Sequence, residues 1–281
     1  MKKLLCLIAI VAISLNLNAQ IDTPAPSPFS KIEQKVGLTD VTLEYSRPSM
    51  KGRTIFGNLV PYDKLWRLGA NMNTKITFSD DVTVGGSTLK SGSYAVYAIP
   101  GESNWDVIFY TDSSNGGLPQ NWDDAKVAAK VTVPTNTLPF EIETFTMAFD
   151  NLTSGSAVLG MFWSNVYVGV EFNVPTDAKV SAAIERTMKG PSAGDYYGAA
   201  VYYLSEGKDI NQAKTWMEKA MSMTEKPAFW QLRQQSLIYA KAGDKSAAIE
   251  AAKKSLEGAK AAGNNDYIKM NTDSLKEWGA M

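Results

Sequence analysis

Between Val166 and Val174 five apolar residues (Val166, Val168, Val170, Phe172, Val174) alternate with Tyr167, Gly169, Glu171 and Asn173. Successive side chains of a strand point to opposite faces, so this period of two describes a strand with one buried and one wet face. Such strands belong to antiparallel sheets. The same alternation recurs from about Ser30 to Pro175. Val41, Leu43 and Tyr45 share one face, and Trp105, Val107 and Phe109 share another. Further strands are expected near 74–79, 82–85, 94–100, 125–133, 141–150 and 157–163. Within VTVGGSTLKSGSYAVYAI, a strand meets a turn at Gly85-Gly86, makes a short excursion and turns again at Gly92. Many short strands punctuated by Gly, Asn, Asp and Ser imply a sandwich or barrel, and we expect an antiparallel, jelly-roll-like β-sandwich over residues 29–175.

After Pro175 the composition shifts to Ala, Lys, Glu, Met and Gln, and the period becomes helical. Ala213, Trp216, Met217, Ala220 and Met221 make one apolar stripe on a helix starting near Asp209. Ala248, Ala252, Leu256 and Ala259 make a second. Paired at a spacing of 35 to 36, Ala200 matches Ser236, Tyr203 matches Tyr239, Gly207 matches Gly243, Ala213 matches Ala248, and Ala220 matches Ser255. The early Trp and Gly of a tetratricopeptide repeat are missing, yet the period and the small residues at packing points resemble that repeat. With flanking helices at 180–189 and 266–278, residues 176–281 are expected to stack as α-helical hairpins. The fold class is therefore α+β in two segments.

The first nineteen residues carry Lys2 and Lys3, an apolar run from Leu4 to Leu15, and Ala19 before Gln20, the layout of a secretory signal peptide. Residues 20–28, with TPAPSP, read as a Pro-rich, extended, poorly ordered leader that serves as a spacer. The chain is expected to be exported, periplasmic or extracellular, with no membrane span in the mature part. Its one cysteine, Cys6, lies inside the signal, so the mature chain has neither disulfides nor thiol chemistry. There is no histidine, which removes Ser-His-Asp triads, Cys-His dyads and the common zinc sites together. Without Lys2 and Lys3, 26 basic residues face 29 acidic ones, a net charge of −3 that lacks the basic footprint of a nucleic-acid binder. No cofactor is implied, because the glycines around Gly52-Arg53-Thr54 lack the lysine of a phosphate-binding loop.

One long segment breaks the alternation. Between residues 36 and 110 it contains Tyr45-Ser46-Arg47-Pro48, Lys51-Gly52-Arg53 and Trp66-Arg67-Leu68-Gly69-Ala70-Asn71. In this order these elements resemble the family catalogued as domain of unknown function 2911, over about residues 28–175. The resemblance implies a fold and no chemistry. Asp63 stands where the family pattern leads one to expect glycine after Pro-Tyr.

Read physically, the segment gathers Arg47, Lys51, Arg53, Lys64 and Arg67 among prolines and glycines. Arginine offers a planar fork of donors for carboxylates, phosphates and sulfates, and Tyr62 and Trp66 offer stacking faces. A ligand site for an anion or glycan is therefore placed at Arg47, Lys51, Arg53, Tyr62, Trp66, Arg67 and Asn71. The competing reading pairs Arg47, Arg53 and Arg67 with internal acids such as Glu44, packs Trp66 beneath the loop and leaves Asn71 to end a turn.

Other candidates are a carboxylate pair drawn from Glu141, Glu143 and Glu171, a sugar platform of Trp105, Trp122 and Trp163, and oxygen-ligand pairs at Asp80-Asp81 and Asp123-Asp124. Tyr196, Tyr197, Tyr202 and Tyr203 are expected to pack between helices. The leading expectation is a non-enzymatic binding or scaffold protein whose helical segment holds a protein or peptide partner. The alternative is a carbohydrate-active hydrolase that works with carboxylates alone.

Overall fold

The computed structural model describes residues 23–188 and 190–281. The signal expected at 1–19 and the first residues of the leader lie outside the described residues, as does Lys189. The chain divides into two compact units, one ending at Thr176 and the other beginning at Asp177.

Among the described residues the first unit holds ten strands: β1 (Phe29–Val36), β2 (Thr39–Ser46), β3 (Thr74–Phe78), β4 (Val82–Val84), β5 (Ser87–Leu89), β6 (Gly92–Pro100), β7 (Asn104–Tyr110), β8 (Val127–Pro134), β9 (Asn136–Asp150) and β10 (Ser156–Asn173). One sheet has the order β1-β2-β3-β6-β7-β8 and the other β5-β4-β10-β9. Neighbouring strands are antiparallel. Val41, Leu43 and Tyr45 of β2 and Trp105, Val107 and Phe109 of β7 meet Met147, Leu159, Met161 and Phe172 of the other sheet in one core. The two-sheet antiparallel layout is the expected one, but the connectivity is not that of a jelly roll. Strands adjacent in sequence are mostly adjacent in a sheet, giving meanders where a jelly roll interleaves two Greek keys.

Strand β10 joins what the alternation separates into two strands, 157–163 and 166–174. Its buried side chains are odd-numbered at Ala157, Leu159, Met161 and Trp163, then even-numbered at Val168, Val170 and Phe172. The register slips on both sides of Ser164, whose φ is +52°. While β10 advances four residues from Phe162 to Val166, β9 runs nine from Thr146 to Thr137, so the extra residues of the irregularity lie in β9. Across it the inward set of β10 moves to the other parity, so one strand reads as two. Strand β9 begins at Asn136, five residues before the expected start at 141. Strand β8 starts at Val127, after a short 3-10 turn over Asp124–Lys126.

The second unit is six helices: α1 (Thr176–Thr187, whose first residue closes the β unit), α2 (Ala193–Ser205), α3 (Ile210–Ser222), α4 (Phe229–Lys241), α5 (Lys245–Ala261) and α6 (Asn265–Glu277). Asp209 caps α3 and Asp244 caps α5, each side chain accepting from backbone N–H groups of the first turn. Gly207 and Gly243 follow α2 and α4 with φ of +64° and +83°, the left-handed ending that glycine adopts without a Cβ clash. The repeat in sequence thus appears as two helix pairs, α2 with α3 and α4 with α5. Ala200, Ala213, Met217 and Ile238 form one core, and Ala252, Leu256 and Leu275 another.

Candidate functional site

Residues 47–73 connect β2 to β3 and lie first along β9, then along β6. Met50 N donates to Glu143 O at 2.8 Å and Phe145 N to Pro48 O at 2.8 Å. Further on, Trp66 and Ala98 exchange backbone hydrogen bonds of 2.7 and 2.9 Å, and Asp63 N donates to Pro100 O at 2.8 Å. Ile55, Val60 and Leu68 are buried in the sandwich core and act as apolar anchors. The loop is therefore part of the packed body.

Its backbone is unusual. Lys51, Asp63, Leu68 and Asn71 have φ of +50°, +57°, +51° and +58°, four of the six non-glycine residues in the left-handed region among the described residues. For a bulky buried leucine this is an outlier, and such conformations persist where the surroundings overdetermine them, often at binding sites. Asp63, in place of the expected glycine, keeps the left-handed backbone glycine would supply, since aspartate tolerates it.

Residues of this loop line most of a cavity of about 550 Å³. Its floor includes Trp66 and Trp163, ring centroids 5.9 Å apart and planes 19° from parallel. Behind them Phe56, Trp105 and Phe145 complete an aromatic cluster, with Trp105 5.8 Å from Trp66 and Phe145 5.2 Å from it. The indole N–H of Trp163 donates to Glu143 O at 3.2 Å, which holds the ring in place. All four charged side chains in the lining are cationic: Lys51, Arg53, Lys64 and Arg67. Among the described residues none of the four is in an ion pair. Leu59 and Leu118, 41% and 46% exposed, add an apolar rim.

The cations are held differently. Arg53 donates from Nε to Met50 O at 2.8 Å and from Nη2 to Ser49 O at 2.6 Å, so backbone carbonyls fix its guanidinium. Lys51 is tied by its backbone N–H to Glu143 Oε1 at 2.9 Å, leaving its ammonium out of that bond. Arg67 is half-buried beside Gly117, where an added Cβ would sit 3.1 Å from Nη1.

Of the seven expected site residues, Lys51, Arg53, Trp66 and Arg67 line the cavity, joined by Lys64. Arg47, Tyr62 and Asn71 do not. Arg47 donates from Nε to Phe145 O at 3.1 Å and from Nη2 to Thr146 Oγ1 at 2.6 Å, fastening the loop to β9. Tyr62 places its ring over Gly57. Asn71 donates to Ser27 O at 3.1 Å and to Ser46 Oγ at 3.2 Å, fastening the loop to the leader and β2. The pairing of these arginines with Glu44 does not occur: Glu44 pairs with Lys75 at 2.7 Å. Nor are residues 26–28 a bare spacer. Pro28 O accepts from Arg47 N at 2.9 Å, and Pro26 and Ser27 form part of the cavity wall.

The remaining candidates disperse. Trp122 stacks on Tyr110 at 4.7 Å, in a separate cluster with Tyr97, so the three tryptophans do not form one platform. Glu141, Glu143 and Glu171 are exposed and outside the cavity lining. Ile142 pairs with Ser164, which puts Glu171 seven residues further along β10 from that point. At strand rise that is about 20 Å, against the roughly 5 to 9.5 Å that glycoside hydrolysis requires between carboxyls. Asp81 accepts from Lys90 Nζ and Ser91 N, and Asp123 accepts from Ala125 N, so these acids secure turns. Tyr197 and Tyr203 pack within the helical core, Tyr203 lying 4.8 Å from Trp216, while the Tyr202 hydroxyl donates to Asp177 Oδ1 at 2.8 Å.

Leu59, Leu118, Pro26 and Ser27 carry no signal in sequence that would place them at a site, since three of them are remote from the loop's motifs and Leu59 reads as an ordinary apolar residue. No helix among the described residues is long and apolar enough to cross a membrane.

No curated protein and no solved structure matches the chain significantly. The model of the family described as "Protein of unknown function (DUF2911)" matches residues 27–172, just over half of the chain. That span takes in every lining residue of the cavity except Pro26, and all three motif elements that build the loop. By this match the chain belongs to the DUF2911 family.

Proposed function

We propose that this is a non-enzymatic, exported binding protein whose β unit captures a small anionic ligand in the cavity lined mainly by residues 48–70. One observation carries the reading: every charged side chain in the lining is cationic, over an aromatic floor. Guanidinium and ammonium groups free of protein carboxylates are available to a ligand's negative charge, and charge-assisted bonds are among the stronger polar contacts. Glu171 is far from Glu141 and Glu143, and those two are exposed neighbours on one strand outside the cavity lining, which argues against carboxylate-only hydrolysis in the cavity. Export rests on the signal pattern of residues 1–19, and the helical unit is assigned to holding a protein or peptide partner, on the strength of its repeated helix pairs.

Thermal melting of the chain from Gln20, in panels of small anions and neutral glycans, tests the site. A ligand that binds only the folded state at about a hundred times its Kd adds roughly 2.7 kcal/mol of stability. Anions are expected to raise the melting temperature, less so as salt is increased, and Arg67→Ala to remove the rise. Equal, salt-independent stabilisation by neutral glycans would overturn the reading. Sequencing the N-terminus of protein recovered outside the cytoplasm is expected to give Gln20 first. Recovery only from the cytoplasm, with Met1 intact, would refute export.

A further inference from the structure

The cations say that the ligand is charged; the rest of the lining says what else it must be. We infer that the ligand is an amphipathic anion, a planar apolar ring system bearing a carboxylate, sulfate or phosphate, in preference to an anionic sugar or a free inorganic anion. The inference rests on the anion-site reading and deepens it.

Three observations lead there. Trp66, partly exposed in the cavity lining, is stacked on the buried Trp163 with planes only 19° apart, and a flat ring set on Trp66 can continue that offset stacking. The floor cannot swing aside, because Trp163 is 2% exposed with its indole N–H bonded to Glu143 O, and Trp66 is pinned through its backbone to Ala98. Beside the cations, the lining carries the apolar side chains of Leu59, Val60, Leu65 and Leu118. Leu59 and Leu118 are left 41% and 46% exposed at its rim. A small inorganic anion would leave this surface in water, and a sugar would set many hydroxyls against side chains that cannot hydrogen-bond to them. A cavity of about 550 Å³ is the size of a small-molecule site and far larger than a single sulfate needs. Rings of two or three fused members would bury the apolar part while the acid reaches Arg67 and Lys64. Those two residues are the best levers, since neither makes a side-chain hydrogen bond or ion pair among the described residues, and their loss leaves the loop's fastenings intact.

The test uses the full chain from Gln20 and follows tryptophan fluorescence. The probe is 2-naphthalenesulfonate, compared with 2-naphthylmethanol, decanoate, trigalacturonate and sodium sulfate. Loss of one charge-assisted contact is expected to weaken naphthalenesulfonate binding about tenfold or more in both Lys64→Ala and Arg67→Ala. The neutral alcohol and the three other anions are each expected to bind about tenfold or more weaker than the probe. Circular dichroism and melting of the variants verify that they fold. If decanoate, trigalacturonate or sulfate binds as tightly as the probe and depends on the same two residues, the ring inference fails while the anion site stands. If no anion binds, or binding ignores both substitutions in folded protein, the anion site fails and the inference with it.

Discussion

Gly69 shows how the family's motif enters the structure one residue at a time. Its φ is +133°, and a Cβ there would lie 2.7 Å from the carbonyl oxygen of Ser46, which belongs to β2 and already accepts the Ala70 N–H. Backbone cannot retreat as a flexible side chain can. Gly69→Ala is expected to cost about 2 kcal/mol or more, measured as a fall in the urea midpoint. A midpoint equal to wild type would show that the loop yields. At Asp150, on β9, burial pushes the carboxyl above its ordinary value of 3.8. A raised folded-state value means that the contribution to stability is present below the unfolded value and lost as pH rises through the folded one. At neutral pH the charged carboxylate therefore weakens the fold. Asp150→Asn is expected to raise the melting temperature at pH 7, by an amount that shrinks to nothing as the pH approaches 3. A gain that is constant with pH would locate the effect elsewhere.

At the scale of elements, Asp244 has two tasks: it caps α5 through Ala247 N at 3.2 Å and reaches Lys214 Nζ of α3 at 2.9 Å. Its carboxyl is held below the usual range, chiefly by the hydrogen bond from Lys214. Asp244→Ala is expected to lower the melting temperature more than Lys214→Met does, since only the first removes the cap. Equal losses would mean that the cap contributes nothing. Such caps, like the glycine that ends each hairpin's first helix, are legible in sequence because the helix end demands a particular residue type. Strands were legible wherever one face is buried. The irregularity at Ser164 was not, because a left-handed residue facing a bulged partner strand changes parity without changing composition. The site was legible in part for the same reason. A cluster of cations in a stretch that fails to alternate marks the loop, but a backbone passing through four left-handed positions has no period, so nothing in the sequence tells Arg53 and Arg67 from Arg47. Trp163 and Leu118 arrive from distant strands and loops, beyond the reach of any local pattern.

At the scale of the whole molecule, the division after Thr176 is expected to be a division of stability. Chains ending at Thr176 and beginning at Asp177 should each fold and unfold in a single cooperative transition of their own. A β unit that precipitates or shows no transition when made alone would contradict this. The cavity wall draws on residues 26–27, 48–70, 118 and 163, so its parts come together only across long stretches of chain. Contacts of that separation pay their loop-closure entropy before they reward it, and the 47–73 segment that supplies most of the cavity lining depends on them. Refolding should therefore complete the two sheets before this segment settles. A ligand in the finished cavity would then leave the refolding rate unchanged and act as a brake on unfolding alone.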